Sequence, residues 1–309
     1  MDPVVANAKA IIEEGSKSFA AASKLFDPST RDKAFMLYAW CRHCDDQIDG
    51  QELGFGQQSP ETTVQRRILG ELIAATEAAM AGEATQDPVF AAFQRVYHEC
   101  DIPRRFPLDL LQGFAMDVDN FAYESFDDTL LYCYHVAGVV GAMMATIMGV
   151  KDPAIINRAV DLGIAFQLTN ISRDVMEDAA DGRVYLPAAW LREAGAPTDP
   201  ALFPGHEQQV FSVVRRMLNE ADRYYTSSVF GIARLPFRCA WAIAAARSVY
   251  GAIGKVVLSR GSQAWQQRAG LSRGAKFGRL FSSLFTALGA VSFGRLRTPP
   301  ARQGLWTLS

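Results

Sequence analysis

The sequence is poor in the residues that build thiol and imidazole chemistry. It contains five cysteines and four histidines in 309 residues. The cysteine number is odd, and the first residues lack a basic region followed by an apolar core. These features predict reduced thiols and no export signal, so we expect a cytoplasmic protein.

Acidic residues are missing from the last part of the chain. After Asp222 the sequence contains 13 Lys and Arg residues but no Asp or Glu, whereas the first 222 residues contain 18 basic and 33 acidic residues. This division predicts cation binding by the first part and contact with anions by the second. We do not expect nucleic acid as a partner, because the basic residues are scattered and no recognition motif accompanies them.

Sheet signals are also missing. No run alternates between polar and apolar residues for long enough to build a sheet, and no repeat of fixed period occurs. Apolar residues instead recur at helical spacing, as at Phe35, Tyr38 and Cys41 after a helix start at Asp27. The irregular stretch AGAPTDPALFPGHEQ is typical of a surface loop. We expect a single all-α domain over residues 1–309.

One long uncharged stretch raises the question of a membrane. The 22 residues between Asp128 and Lys151 carry no formal charge, which is long enough to cross a bilayer. A helix that is apolar on every side can equally be the central helix of a large bundle. We favour the buried helix, since a lone span would leave the surrounding polar helices without an apolar partner.

The segment CRHCDDQIDG, residues 41–50, combines thiols with carboxylates. Asp45 and Asp49 share one helix face, with Cβ atoms about 5–6 Å apart, and two like charges there destabilise an isolated helix by a few tenths of a kcal/mol. A bound divalent cation would explain the pair, and an exposed acidic helix end is the alternative. Cys41 and Cys44 have zinc-like spacing without a second pair, so we expect small apolar core residues.

A second acidic set favours the cation. The stretch QLTNISRDVMED places Asn170, Asp174 and Asp178 at i, i+4 and i+8 of another helix, one turn after Gln167. Oxygen ligands without clustered thiolate or imidazole suit Mg²⁺ or Mn²⁺. Because Mg²⁺ is usually held by one or two carboxylates together with substrate phosphates, we expect a phosphorylated substrate.

Arginines that suit phosphate lie near both acidic sets in the sequence. Arg42 precedes Asp45 by one turn, and Arg183 follows the second set in DGRVYLP. A guanidinium group binds phosphate oxygens with two parallel hydrogen bonds. The pattern therefore predicts substrate contacts at both arginines.

Five stretches, in this order, resemble the squalene and phytoene synthase family of isoprenoid diphosphate synthases. They are GSKSF (15–19), YAWCRHCDDQID (38–49), YCYHVAGVVG (132–141), QLTNISRDVMEDAADGRVYLP (167–187) and ARSVYGAIG (246–254). The resemblance covers about residues 15–260 and is greatest to the bacterial, phytoene-forming branch. The combination is far more specific than any single D-x-x-x-D motif.

The resemblance implies the class I isoprenoid synthase fold, with helices around a central cavity and two aspartate sets facing each other across it. It implies a Mg²⁺ cluster, with Mn²⁺ as the alternative, bound by Asp45, Asp49, Asn170, Asp174 and Asp178. The four aspartates and Tyr132 are implied to be catalytic. Either Tyr132 or the released diphosphate is expected to take up the proton. Substrate contacts are implied at the matching positions Ser16, Ser18, Phe19, Tyr38, Arg42, Val136, Val140, Gln167, Asn170, Arg183, Tyr185 and Tyr250.

The implied reaction joins two geranylgeranyl diphosphates head to head, through prephytoene diphosphate, into 15-cis-phytoene, the first step of carotenoid biosynthesis. No nicotinamide cofactor is implied, because phytoene forms by proton loss whereas squalene needs a hydride. Within the family, a C30 synthase that acts on two farnesyl diphosphates is the alternative. Outside it, the alternative is a non-catalytic helical assembly factor. Contact with other carotenoid-pathway enzymes is a further expectation.

Residues 270–309 form a basic amphipathic region beyond the resemblance. One predicted helical stripe contains Phe277, Leu280, Phe281, Leu284, Phe285 and Leu288, and it is flanked by Arg273, Lys276 and Arg279. Such a helix either packs on the domain or lies on an anionic lipid surface, here the inner face of the cell membrane. Both interpretations remain open from the sequence.

Overall fold

The computed structural model describes residues 2–15, 20, 22–50, 61–294 and 298–307. Helices make up 76% of the protein, and no strand occurs in these ranges. The all-α fold class is therefore confirmed.

The described residues form a series of α-helices. In chain order they are α1 (Pro3–Gly15), α2 (Pro28–Asp49), α3 (Thr62–Ala81), α4 (Pro88–Glu99), α5 (Arg105–Val118), α6 (Phe126–Cys133), α7 (Val139–Ile147), α8 (Pro153–Ala180), α9 (Ala188–Glu193), α10 (Glu207–Ile232), α11 (Phe237–Arg260) and α12 (Arg273–Phe293). A π-helical turn, Tyr134–Gly138, joins α6 to α7. Short 3₁₀ turns lie at Pro200–Leu202 and Gly261–Gln263.

Two compact units divide the chain. The first comprises residues 1–121 and 139–156, and the second comprises residues 122–138 and 157–309. The first acidic set belongs to the first unit and the second set to the second unit. The expectation of a single domain over residues 1–309 stays a prediction.

In the first unit, helix α2 is built around a buried aromatic face. Its start is capped by Asp27, whose carboxylate accepts a hydrogen bond from the Thr30 amide at 3.1 Å, as expected for an N-cap residue. Trp40 is completely buried and stacks on Phe93 of α4, with ring centroids 4.3 Å apart. This packing fixes the rotation of α2 about its axis, and so fixes which side chains of its last turns point away from the core.

In the second unit, a glycine lets α8 come very close to the π-helical turn. A Cβ atom on Gly163 would lie 2.2 Å from the carbonyl oxygen of Ala137, a distance that no side chain tolerates. Around this contact the apolar face of α8 is buried, including Ile164 and Leu168. Gly163 therefore seats the helix that carries the second acidic set.

Two helical stretches are long and apolar enough to cross a membrane by length and composition alone, Phe126–Ile147 and Phe237–Gln263. Such a pair is weak support for a membrane protein, because core helices pass the same test. In the most apolar window of Phe126–Ile147, 61% of the residues are buried within the protein. Cys133 and Met143 are completely buried, which agrees with the interpretation of this stretch as a core helix.

The C-terminal tail is bound to the second unit by a buried ion pair. Asp161 of α8 is completely buried, and the guanidinium group of Arg302 contacts both of its carboxylate oxygens, at 2.6 and 2.9 Å. Ser227 also donates a hydrogen bond to Asp161. Arg158 donates to the Ser227 hydroxyl at 2.5 Å and to the carbonyl oxygen of Pro300. The tail therefore belongs to the folded structure.

Helix α12 packs on α11, but not through the phenylalanines of the stripe that the sequence predicted. Its most buried residues are Ser283 and Ala287, whereas Phe277, Phe281 and Phe285 are exposed. Of the two interpretations from the sequence, packing of this helix on the domain agrees with the structure, with Leu280 and Leu284 of the stripe half-buried and its phenylalanines turned outwards. Contact with lipid stays a prediction. Helical periodicity marks an apolar face, but the small residues opposite this one allow the closer approach between helices.

Candidate active site

The first acidic set lies in the last turns of α2. Gly50 ends the helix in the left-handed conformation, with φ of 63°, directly after Asp49. Because the C-terminal end of a helix carries partial negative charge, carboxylates there are unfavourable without a cation. Arg42 supplies part of the compensating positive charge. Its Nη1 atom lies 2.7 Å from Asp45 and 3.6 Å from Asp46. The Asp45 side chain remains 41% exposed.

Tyr38 lies one turn before Arg42. Burial raises the pKa of Tyr38, and the guanidinium charge of Arg42 lowers it in part. The hydroxyl therefore stays protonated at neutral pH and can donate a hydrogen bond. Gly15, at the end of α1, makes room for the ring, since a Cβ there would lie 2.9 Å from the Tyr38 hydroxyl oxygen.

One hydrogen-bond donor of the Arg42 guanidinium group lacks an acceptor among the described residues. Its Nε atom is buried and has no hydrogen-bond acceptor among the described residues. Buried donors without acceptors are rare and call for an explanation. An anionic oxygen of a substrate would supply the missing acceptor.

Two cysteines, Cys41 and Cys44, lie on the same helix as this set. Cys44 is buried and Cys41 half-buried, and both are free thiols. Burial raises the pKa of Cys41 to about 12 and that of Cys44 well above its ordinary value. Both thiols are therefore protonated at neutral pH. The expected core position is confirmed for Cys44, whereas Cys41 is half-buried.

The second acidic set lies near the end of α8 and is more enclosed. The Asp174 side chain is 15% exposed and accepts two hydrogen bonds from Arg173, at 2.8 and 2.5 Å. A second guanidinium, that of Arg268, lies 3.2 Å from Asp174 and 3.7 Å from Glu177. Two cations therefore already surround this carboxylate.

Asp178 and Asn170 differ from Asp174 in their surroundings. The ionised form of Asp178 is destabilised, and the Asn170 side-chain oxygen lacks a donor among the described residues. Burial, together with the charge of Asp174, raises the pKa of Asp178 to about 7. Asn170 donates a long hydrogen bond to Gln167, at 3.4 Å. Its carbonyl oxygen is buried with no donor in the described ranges. A strained carboxylate and an orphaned oxygen on one helix face fit a bound divalent cation.

The turn after α8 brings Arg183 back towards Asp178. Gly182 adopts a φ of 74°, and the Arg183 amide then donates to the carbonyl oxygen of Asp178 at 2.8 Å. This is the Schellman arrangement that ends many helices. Its result is that the Arg183 charge lowers the pKa of Asp178, against the effect of burial.

Tyr132 and Tyr185 are brought together by a third tyrosine. Their rings stack with centroids 4.7 Å apart, and the ring of Tyr123 contacts both edge-on at 5.5 Å. The Thr129 hydroxyl donates to the backbone oxygen of Tyr185 at 2.9 Å. The chain around Tyr185 is thereby held against the helix that carries Tyr132, which supports the pairing of these two predicted residues.

Tyr250 of α11 lies against the helix of the second set. Its ring stacks on Phe166, one residue before Gln167, with centroids 4.3 Å apart. Val136 and Val140 lie on either side of the point where the π-helical turn becomes α7, and both are half-buried. A π-helical turn shifts the register of a helix and is frequent at functional sites.

Three predicted residues, Ser16, Ser18 and Phe19, lie outside the described residues. Within the described ranges, no group of three or more His, Cys, Asp and Glu side chains is arranged to hold a metal ion by itself. One or two carboxylates completed by substrate phosphates are the usual arrangement for Mg²⁺. The metal site, and the position of one acidic set relative to the other, stay predictions.

Comparison with known proteins decides the family. The profile described as "Squalene/phytoene synthase" matches residues 12–275. The chain belongs to the squalene/phytoene synthase family. It is 50% identical over 293 residues to a protein named "15-cis-phytoene synthase" from Pantoea ananas, with 94% of each chain covered. A protein of the same name from Paracoccus sp. is 47% identical over 310 residues, covering 99% of this chain and 98% of the relative.

Solved structures of the squalene/phytoene synthase family share the fold. A crystal structure of a dehydrosqualene synthase with ligand has a TM-score of 0.77 at 26% identity, covering 91% of this chain and 95% of the other. The squalene synthase HpnC from Alicyclobacillus acidocaldarius has a TM-score of 0.73 at 23% identity, covering 84% and 94%. The chain therefore has the helical isoprenoid synthase fold, and it is a prenyltransferase.

Two contacts of the site were not predicted from the sequence. Arg268 reaches Asp174 from a segment 94 residues later in the chain, beyond the family-like stretches. Tyr123 precedes the YCYHVAGVVG stretch and carries no motif of its own. The only available signal was indirect, since Arg268 is one of the basic residues in the acid-free part of the chain.

Proposed function

We propose that the chain condenses two geranylgeranyl diphosphates head to head into 15-cis-phytoene, the first step of carotenoid biosynthesis. The observation that carries this proposal is near-full-length identity of 47–50% to proteins named 15-cis-phytoene synthase. The side chains of the candidate site agree with it. They offer carboxylates and an amide oxygen for a metal, guanidinium groups for diphosphate and buried aromatic rings for a prenyl chain.

The metal is part of the proposal. Asp45 and Asp49 would hold Mg²⁺ on one helix, and Asn170, Asp174 and Asp178 on the other, with substrate phosphate oxygens completing the coordination. When bound, Mg²⁺ stabilises the negative charge of a departing diphosphate. The orphaned Asn170 oxygen and the raised pKa of Asp178 support this assignment. Mn²⁺ suits the same ligands.

The protein's own side chains have distinct tasks in this reaction. Arg42 and Arg183 bind diphosphate oxygens through charged hydrogen bonds, and the protonated Tyr38 hydroxyl adds a neutral one. As the first diphosphate leaves, these donors stabilise its growing charge, which is the largest electrostatic contribution available. The aromatic faces of Tyr132 and Tyr185 exclude water and stabilise the allylic cation, each by about 0.5–2 kcal/mol.

The first condensation gives prephytoene diphosphate, and a second ionisation and rearrangement joins the chains. Loss of a proton then forms the central double bond, so no reductant is consumed. Tyr132 is our candidate for handling a proton, since its ring is held in place by Tyr185 and Tyr123. We expect Tyr132→Phe to lower turnover by about tenfold or more, and steady-state kinetics that match the unaltered chain would remove this role.

A C30 product is the second candidate within the family. It is favoured by the structural likeness to a dehydrosqualene synthase, although that identity is about half of the identity to the phytoene-forming relatives. A non-catalytic assembly factor would gain nothing from a carboxylate with a raised pKa and an orphaned amide oxygen on one helix face. Contact with other carotenoid-pathway enzymes remains part of the expectation and has no structural support.

The decisive experiment offers both substrates to the full chain in one tube. Geranylgeranyl and farnesyl diphosphates are supplied together with Mg²⁺ and no nicotinamide cofactor, and the hydrocarbon product is identified by mass. We expect a C40 phytoene and its loss when Mg²⁺ is chelated. A C30 hydrocarbon would overturn the substrate assignment, activity under chelation would overturn the metal, and no hydrocarbon at all would favour the assembly factor.

A further inference from the structure

The outward face of α12 consists of large apolar side chains. Phe277, Phe281 and Phe285 are 72%, 60% and 61% exposed, and Leu288 is 44% exposed. Because these residues recur every three or four positions, they form one continuous band about 16 Å long on the helix. We call the band formed by Phe277, Phe281, Phe285 and Leu288 the phenylalanine face.

This exposure does not come from a detached helix. The indole nitrogen of Trp241 in α11 donates to the backbone oxygen of Leu280 at 3.0 Å. Arg279 donates to the backbone oxygen of Ser248, also in α11, at 3.3 Å. On the inner side, Ser283 and Ala287 are buried. These small residues allow α12 to pack closely on α11. Rotating α12 so that its phenylalanines face α11 would break both hydrogen bonds and place side chains that are too large in the contact between the two helices.

A continuous apolar face of this kind marks an interaction surface rather than chance exposure. The charges around the phenylalanine face limit which kinds of partner it can bind. No acidic residue occurs after Asp222, so α11, α12 and the tail contain only basic charges. Arg273 and Lys276 are exposed in the first turn of α12. A second copy of the same face would bring like charges together, whereas an anionic surface complements them.

We propose that the phenylalanine face of α12 inserts into the headgroup region of an anionic membrane, such as the inner face of the cell membrane. Helices that lie in the membrane interface combine Phe and Leu on one side with Lys and Arg nearby. The expected hydrocarbon product, which is insoluble in water, adds a reason that depends on the proposed function. The exposed face and the charges do not depend on it.

Vesicle flotation of the full chain tests the proposal. Vesicles of phosphatidylcholine alone are compared with vesicles that also contain phosphatidylglycerol. The test variant is Phe281→Ser with Phe285→Ser, and the matched control is Leu202→Ser, an apolar residue that is 53% exposed in a 3₁₀ turn. Truncation before α12 is unsuitable, because it also removes Arg302, the partner of buried Asp161.

We expect the unaltered chain and the Leu202 variant to float with anionic vesicles. The double variant should bind about 100-fold more weakly, since each of the two exposed phenylalanines contributes about a factor of ten on transfer from water. Arg273→Gln with Lys276→Gln should reduce the preference for anionic vesicles and leave the residual binding to phosphatidylcholine unchanged. Thermal unfolding should be unaltered in all variants.

Three results would overturn the proposal: no flotation of the unaltered chain, equal flotation of the double variant, or a phenylalanine-dependent dimer in sedimentation without lipid binding. Turnover in detergent is measured on the same samples. Normal phytoene formation without flotation would remove only the membrane role. Flotation without phytoene would remove only the proposed reaction.

Discussion

The two acidic helices of this protein place similar carboxylates in different environments. At the end of α2, Asp45 is 41% exposed and forms an ion pair with Arg42. Near the end of α8, Asp174 is 15% exposed and meets two, while burial raises the pKa of Asp178 to about 7. The same i, i+4 spacing therefore leaves Asp45 within reach of solvent, whereas it places Asp174 between two guanidinium groups and Asp178 where its ionised form is destabilised.

This difference predicts that the two aspartate sets respond differently to a bound cation. A carboxylate that solvent reaches, such as Asp45, can exchange water and ions at little cost. For Asp178, burial and the charge of Asp174 still outweigh the effect of Arg183, so the ionised carboxylate would be stabilised by a further cation. In the proposed metal site, we therefore expect the α8 set to gain more stability from a bound cation than the α2 set.

The largest expected effect is on turnover. Asp45→Asn and Asp174→Asn should each lower phytoene formation by about 100-fold or more, because each removes a charge from the proposed metal site. Product mass from purified, folded variants measures this, with Asp127→Asn, an exposed acid outside both sets, as the control. Near-normal turnover by either variant would show that its helix does not serve the chemistry.

The next effect concerns how the two helices are seated. Gly163→Ala should lower the free energy of unfolding by about 3 kcal/mol, because the new methyl group meets backbone atoms of Ala137. Gly15→Ala, beside α2, should cost about 1 kcal/mol, since only the Tyr38 hydroxyl must move. Urea denaturation compares them. Equal costs would mean that α8 is no more tightly seated than α2.

The third prediction uses the raised pKa of Asp178. Its ordinary value of 3.8 rises to about 7 in the folded chain, so the unfolded chain loses its proton first. Stability then falls as the pH rises from about 4 to 7 and stays low above that. In chelator, Asp178→Asn should be more stable than the unaltered chain by about 1–3 kcal/mol at pH 8.

This advantage should shrink at pH 5, and urea denaturation at both values measures it. Mg²⁺ added at pH 8 should narrow the gap by stabilising only the unaltered chain. A variant that is less stable than the unaltered chain at pH 8 would contradict the strained state of Asp178.

The smallest expected effect is the change in the free energy of unfolding when an aspartate of α2, rather than of α8, is replaced. Asp45→Asn should change the free energy of unfolding by less than about 1 kcal/mol, because an exposed ion pair contributes little. The same denaturation experiment measures it. A loss of several kcal/mol would show that Asp45 is a structural residue, and the contrast between the two sets would disappear.

The sequence predicted much of this because helices and metal ligands have local signatures. The spacing of Asn170, Asp174 and Asp178 places them on one face in any helix, and the structure has that helix. Arg268 could not be found in this way, because the approach of its segment to Asp174 is a tertiary event. Nor could Gly163 be recognised as critical, since its neighbour Ala137 lies 26 positions earlier in a π-helical turn.

The phenylalanine face illustrates a different limit. Periodicity correctly grouped Phe277, Phe281 and Phe285, but it cannot say whether such a face looks inwards. The answer depended on Ser283 and Ala287, whose small size suits a close helix contact with α11. Side-chain volume on the opposite face, rather than hydrophobicity on this one, decided the orientation.

The family-like region ends near residue 275, yet the structure is completed by Arg302. A premature stop codon between these two positions would spare every residue assigned to the chemistry. It would nevertheless leave the carboxylate of Asp161 buried without its arginine, and a buried charge that loses its partner typically costs about 3–5 kcal/mol. Gene fragments trimmed to the recognisable motifs should therefore yield protein that is degraded before its activity can be assayed.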